Sequence, residues 1–108
     1  KANSVYLQDI ANALDQIDKY TKNVTFNQFV EEDMRHDAVI RQMEIIGEAA
    51  NKLSEEFQLL HPNFPIRQAI AMRNFLIHGY DDINLEVVWK TIQTDLQNVK
   101  KEIKSILQ

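Results

Sequence analysis

The sequence predicts an all-α fold, an antiparallel four-helix bundle with one short extra helix, and three observations predict it. The 108 residues include only two glycines and two prolines, so turns are few and helices long. Apolar residues recur three and four positions apart through three extended segments, which is the period of one helix face. Both prolines fall within "HPNFP", a single sharp break between the long segments.

The elements follow in order. "SVYLQDIANALDQIDKYT" carries Leu7, Ile10, Leu14 and Ile17 at helical spacing, with Ser4 placed to cap it. "NVTFNQFVEED" reads as a short helix or turn whose Phe26, Phe29 and Val30 seal the base of the bundle. A long helix runs from about Met34 to Leu53 or beyond, with a wide apolar face of Ala38, Ile45, Ile46, Ala49 and Leu53. Gly47, Ala49 and Ala50 are small, so a neighbouring backbone can approach closely there. After the break, Pro65 suits the first turn of the next helix and Gly79 its C-terminal cap. Asn84 then caps a last helix whose Leu85, Val88, Trp89, Ile92, Leu96, Val99, Ile103 and Ile106 form one continuous stripe. Four main helices with short connections pack most economically as an antiparallel bundle.

Composition narrows the function classes. The length fits one domain, residues 1–108, around one core. Hydrophobic content of 44% and charged content of 26% are ordinary for a globular chain. The absence of cysteine removes disulfides, thiolate nucleophiles and thiolate zinc sites. No apolar run approaches the roughly 18 to 20 residues of a membrane span, and no signal-peptide pattern opens the chain. A cytoplasmic protein without membrane attachment is expected. No glycine-rich phosphate loop is present, which excludes the P-loop enzymes. The net charge of −4 means that any nucleic-acid site is a local patch, because phosphate affinity comes mostly from Lys and Arg.

The chemistry concentrates in "MRNFLIHGY", Met72 to Tyr80. At about 100° per residue, Ile66, Ala69, Ile70 and Ile77 cluster on one side and Arg73 projects into the middle of that stripe. A guanidinium is rarely buried without partners. Arg73 is therefore expected either to pair with a carboxylate, with Glu44, Glu48 and Asp33 as candidates, or to line a cleft. Asn74 and His78 are four apart and share a face. Arg73 and His78 diverge by about 140°, so they cannot stack along one face as a metal-binding pair would. Cooperation between them needs the long arginine arm, fraying at Gly79, or a second copy of the motif across an interface. Phe75 points nearly opposite the core with Met72 at its flank, which suits contact with another subunit.

Structural roles compete with catalysis for each of these residues. Arg73 suits a buried salt bridge, His78 a favourable charge at a helix C-terminus, and Tyr80 a core position with a wet hydroxyl. The other candidates are weaker. His36 and His61 are isolated from each other and from any second ligand at metal spacing, so neither a metal nor a cofactor is expected. "EEFQ" and "EED" read as solvated faces, "KKEIK" as the outer face of the last helix, and Trp89 as core.

"MRNFLIHGY" matches the R-x4-H-x-Y signature of HepT-like proteins, the HEPN-superfamily toxins of two-gene toxin–antitoxin systems. "DAVIRQMEIIGEAANKLS" and "INLEVVWKTIQTDL" also resemble that family, so the similarity covers nearly the whole chain in the right order. A tryptophan common after the proline in the family is Ile66 here.

The resemblance implies a homodimer with two motifs facing each other across a cleft, acting as a metal-independent endoribonuclease on RNA. It assigns His78 to proton transfer from a 2′-hydroxyl, Arg73 to stabilising charge on the phosphorane-like transition state, and Asn74 to polarising or orienting. An imidazole titrates near neutral pH and a guanidinium fits a phosphate bidentately, so the roles are chemically sensible. It also implies a partner, a minimal nucleotidyltransferase antitoxin that transfers AMP to Tyr80. A phenol ionises near pH 10, too high for a good base at neutrality. Tyr80 therefore suits an acceptor, where added bulk and negative charge repel substrate. Two non-enzymatic alternatives remain. One is a helical dimer that only binds a nucleotide or the nucleotidyltransferase, which the acidic charge favours and the intact motif opposes. The other is a purely structural dimer.

Overall fold

The computed structural model describes residues 2–78 and 82–108, the side chain of His78 excepted. The helices are α1 (Asn3–Thr21), α2 (Phe26–Glu31), α3 (Asp33–Asn51), α4 (Glu55–Leu60), α5 (Ile66–His78), α6 (Leu85–Gln93) and α7 (Asp95–Leu107). No strand occurs among the described residues. The four main rods are α1, α3, α5 and the α6–α7 pair, as the apolar spacing predicts.

The central rod is α3, against which both α1 and α5 pack along their lengths. Its Val39, Met43, Ile46 and Ala50 are almost completely buried. They meet Ile10, Ala13 and Ile17 of α1, Ala69 and Leu76 of α5, and Val88, Leu96 and Val99 of the last two helices in one core. A methylene removed from such a site is felt because its neighbours relax only partly.

The short elements fix the ends. Thr25 and Gln28 form a reciprocal capping box at the start of α2. Phe29 is fully buried, with its ring 5.0 Å from that of Trp89, and Phe26 lies 6.0 Å from the same indole. Trp89 is half-buried, and Val30 is exposed rather than sealing the base. With Phe29 inward, the next residue on so short a helix is turned about 100° away.

Three other features depart from the expected outline. "EEFQ" is not merely a solvated face, because Ser54 caps it through Phe57 N at 3.1 Å and α4 delivers Phe57 to the core. Ser4 does not cap α1, which begins one residue earlier. Asn3 instead exchanges two hydrogen bonds with Ser54, tying the start of α1 to α4. The last rod is broken at Thr94, whose hydroxyl donates to the Lys90 carbonyl at 2.8 Å, a bond that bends helices. The apolar stripe survives the break, with Ile92 and Leu96 buried on either side. Asn84 caps α6 as expected, accepting from Glu86 N and Val87 N. In "KKEIK", Lys100 is not simply on the outer face, since it pairs with Asp18 and pins α7 to α1.

No helix among the described residues is long and apolar enough to cross a membrane. Because Ile46 is fully buried on the central rod, Ile46→Ala should destabilise the fold by about 2–5 kcal/mol. Urea unfolding should report it as a lower midpoint with an unchanged slope, and a loss well below that range would mean that α3 is not the central packing element.

Candidate active site

The motif helix α5 buries Ile66, Ala69, Met72 and Leu76. That set steps by three and four residues and defines the inward arc. Ile70 and Ile77, expected on the inward side with Arg73 in its middle, are half-buried at its edge. Leu76 lies inward because the buried arc is turned about 65° from the one the spacing predicts. Met72 is corrected by the same rotation: it is 8% exposed and belongs to the core, bordering a groove that Met43 and Val88 also line. Phe75 is 41% exposed and does point outward.

Arg73 lies on the edge of the buried arc, where α5 crosses α3 at Gly47. A Cβ built on Gly47 would stand 2.2 Å from Arg73 Cβ, 2.8 Å from the Ala69 carbonyl oxygen and 3.0 Å from Arg73 Cγ. The expected close backbone approach is thus real, and it places the arginine stem directly over the glycine. A mid-helix glycine costs roughly 0.5–1 kcal/mol against alanine, and the close crossing supplies the reason for it. The sequence signal was present in "IIGEAA", but only the register of α3 against α5 links it to Arg73.

The half-buried Arg73 keeps a polar guanidinium at this crossing. Its Nη1 donates to Asn74 Oδ1 at 3.3 Å, a long hydrogen bond to its immediate neighbour. Its Nε is buried and finds no hydrogen-bond partner among the described residues. An unsatisfied buried donor costs about 1–3 kcal/mol, and such groups call for an explanation.

None of the three expected carboxylates pairs with Arg73 among the described residues. Glu48 faces Arg41 at 3.9 Å instead. Glu44 is half-buried one turn before Gly47 and makes no ion pair among the described residues. Asp33 is fourteen residues before Gly47, about 21 Å along the helix axis, and its carboxylate lies 3.7 Å from His36 Nε2. The pairing fails for a simple reason: Gly47 brings the arginine stem, not its tip, against α3. The side chain of His78, together with Gly79 and Tyr80, lies outside the described residues.

The remaining histidines have structural roles. His36 Nδ1 meets the Phe29 carbonyl at 2.9 Å and its ring stands edge-on to Phe29, joining α2 to α3. The ring of His61 rests 4.6 Å from Phe57 at the end of α4. No cluster of three metal-ligating side chains occurs among the described residues.

This arrangement offers one guanidinium with a trapped stem, an amide that touches its tip, and a histidine four residues further along the same helix. Comparison with known proteins points the same way. A family model described as "Ribonuclease HepT-like" matches residues 10–106. A protein of Thermococcus cleftensis called "Probable ribonuclease HepT" is 38% identical over 94% of this chain and 92% of its own length. "Putative RNase MJ1380" of Methanocaldococcus jannaschii is 35% identical over 94% of this chain and 93% of its own. "Putative RNase TTE0752" of Caldanaerobacter subterraneus is 34% identical over 95% and 92%. No solved structure matches significantly. With similarity running over almost the full length of both partners in each pair, the chain belongs to the HepT-like ribonuclease family.

Proposed function

We propose that this protein is the toxin of a type VII-like toxin–antitoxin pair, a metal-independent endoribonuclease that works as a homodimer. The observation that carries this reading is Arg73: no carboxylate among the described residues neutralises it, and its stem is fixed against α3. An arginine held in that way is ready for an anion.

The chemistry uses few groups. The His78 imidazole accepts the proton of a ribose 2′-hydroxyl while that oxygen attacks the adjacent phosphorus. The bond from phosphorus to the 5′-oxygen breaks, the departing oxygen takes a proton, and a 2′,3′-cyclic phosphate remains. Arg73 stabilises the extra negative charge on the phosphoryl oxygens during attack. Asn74 orients Arg73 and polarises the phosphate. A second protomer completes the cleft, with Phe75 among the contacts, because one helix directs positions 73 and 78 about 140° apart. A nucleotidyltransferase partner silences the site by joining AMP to Tyr80. The phenol oxygen attacks the α-phosphorus of ATP, pyrophosphate leaves, and the new negative charge repels RNA phosphate.

Incubation with RNA in EDTA should give fragments with 2′,3′-cyclic phosphate and 5′-hydroxyl ends. His78→Ala and Arg73→Ala should each lose at least ~100-fold in cleavage while remaining folded, the scale of losing one transition-state contact. Full cleavage by a folded His78→Ala protein removes that residue from the mechanism.

Light scattering should give a dimer at micromolar concentration, shifted toward monomer by Phe75→Lys; a strict monomer defeats the two-motif cleft. Tyr80→Phe should keep cleaving RNA yet escape silencing by the partner with ATP. Mass spectrometry placing AMP on another residue would end the Tyr80 assignment.

A further inference from the structure

We infer that Gly47 is a positioning residue for Arg73: by lacking a side chain it seats the arginine stem on α3 so that only the distal Nη edge is offered to an RNA phosphate. This rests on the ribonuclease reading and concerns a residue outside the R-x4-H-x-Y motif.

Alanine is the better helix former at a mid-helix position, and it occupies both Ala49 and Ala50 nearby. At position 47 a methyl group has no room. The atoms it would meet are Arg73 Cβ at 2.2 Å and the Ala69 carbonyl oxygen at 2.8 Å. Neither is the far end of a flexible chain. The Cβ is fixed to the α5 backbone, and the carbonyl is part of it. A side chain at 47 therefore has to move α5 off α3 as a body, and Arg73 moves with it.

The seat also decides how the guanidinium is presented. Arginine grips an oxyanion either side-on, through Nε and one Nη, or end-on, through both Nη atoms. With Nε buried, and without a partner among the described residues, the side-on grip is closed to a ligand. Asn74 Oδ1 receives a hydrogen from Nη1 at 3.3 Å, a long contact that favours one rotation of the plane. The end-on edge remains, aimed in one direction relative to α5. Electrostatic stabilisation depends on this fixed aim, because donors placed beforehand need no reorganisation during reaction.

Three measurements test the seat. In the first, Gly47→Ala is compared in single-site RNA cleavage with Val99→Ala, a buried truncation on α7 away from the site. Gly47→Ala should lower kcat about 100-fold with KM changed less than about 3-fold, whereas Val99→Ala should keep kcat within about 3-fold. Equal kcat values for the two variants would overturn the inference.

The second measurement covers the case in which Gly47→Ala does not fold. Arg73→Lys keeps the charge, but its ammonium ends one bond short of the Nη atoms. It should be as inactive as Arg73→Ala, and retention of more than about a tenth of wild-type activity overturns the end-on geometry.

The third is independent of cleavage. By 15N NMR the Arg73 Nε–H of the wild-type protein should exchange slowly with water and stay unshifted on adding an RNA oligonucleotide. Fast exchange in the wild type overturns the seat. A wild-type protein that has the slow Nε–H but cleaves no RNA defeats the ribonuclease reading and leaves the seat standing.

Discussion

The closeness of α3 and α5 at Gly47 is the constraint from which the geometry of the site follows. Helix pairs ordinarily keep their axes 8–10 Å apart, at a distance set by the side chains at the contact. Here one partner contributes none, and the Ala69 carbonyl and the Arg73 stem occupy the space. Moving α5 outward would disturb two things together. The buried arc of Ile66, Ala69, Met72 and Leu76 would lose its fit to the core, and the arginine would lose the surface that traps it. Stability and site geometry are coupled through one missing methyl group.

The same closeness explains how an acidic chain keeps a cation available. The chain carries 16 acidic residues against 12 Lys and Arg, a net charge of −4. Among the described residues three other cations meet carboxylates: Arg35 with Glu32, Arg41 with Glu48, and Lys100 with Asp18. Arg73 is spared because its stem, rather than its tip, meets α3, and because Asn74 supplies a neutral acceptor where a carboxylate would cancel the charge. The desolvated Nε costs stability, which is tolerable in a core this continuous. Local strain of this kind is characteristic of sites whose work is done on a ligand.

Much of the fold was legible because spacing reports burial directly. Leu7, Ile10, Leu14 and Ile17 are all in the core, and Asn84 caps α6 through two amides. What stayed hidden depends on tertiary register. Periodicity alone placed Ile70 and Ile77 on the inward side of α5 with Arg73 in the middle of the stripe, but the buried arc is turned toward Leu76 and Met72. The bend at Thr94 rests on a hydroxyl bonding back to Lys90, a choice that no spacing reveals. Glu48 was a sensible partner for Arg73 by sequence; its closer encounter with Arg41 on its own helix is visible only in three dimensions. The motif was readable as chemistry, whereas its support from Gly47 was readable only as a small residue.

The two faces of α5 also explain why a composite site suits this fold. The inward arc is spent on the core, and Arg73 sits at one edge of it. Asn74 follows 100° further round, and position 78 another 40° beyond Asn74 in the same direction. Phe75 lies past both, exposed on the outer side. The helix therefore turns its polar groups progressively away from the seat that fixes the arginine. In the proposed site a phosphate held by the end-on edge of Arg73 would lie close to α3, while position 78 falls about 140° round the helix from Arg73 by register. Two copies related by a twofold axis, each placing its position 78 over the seat of the other, would satisfy both directions without distorting either helix. In the proposed dimer the α3–α5 contact aims the anion-binding group, and the outer face of α5 is where the base and the partner meet.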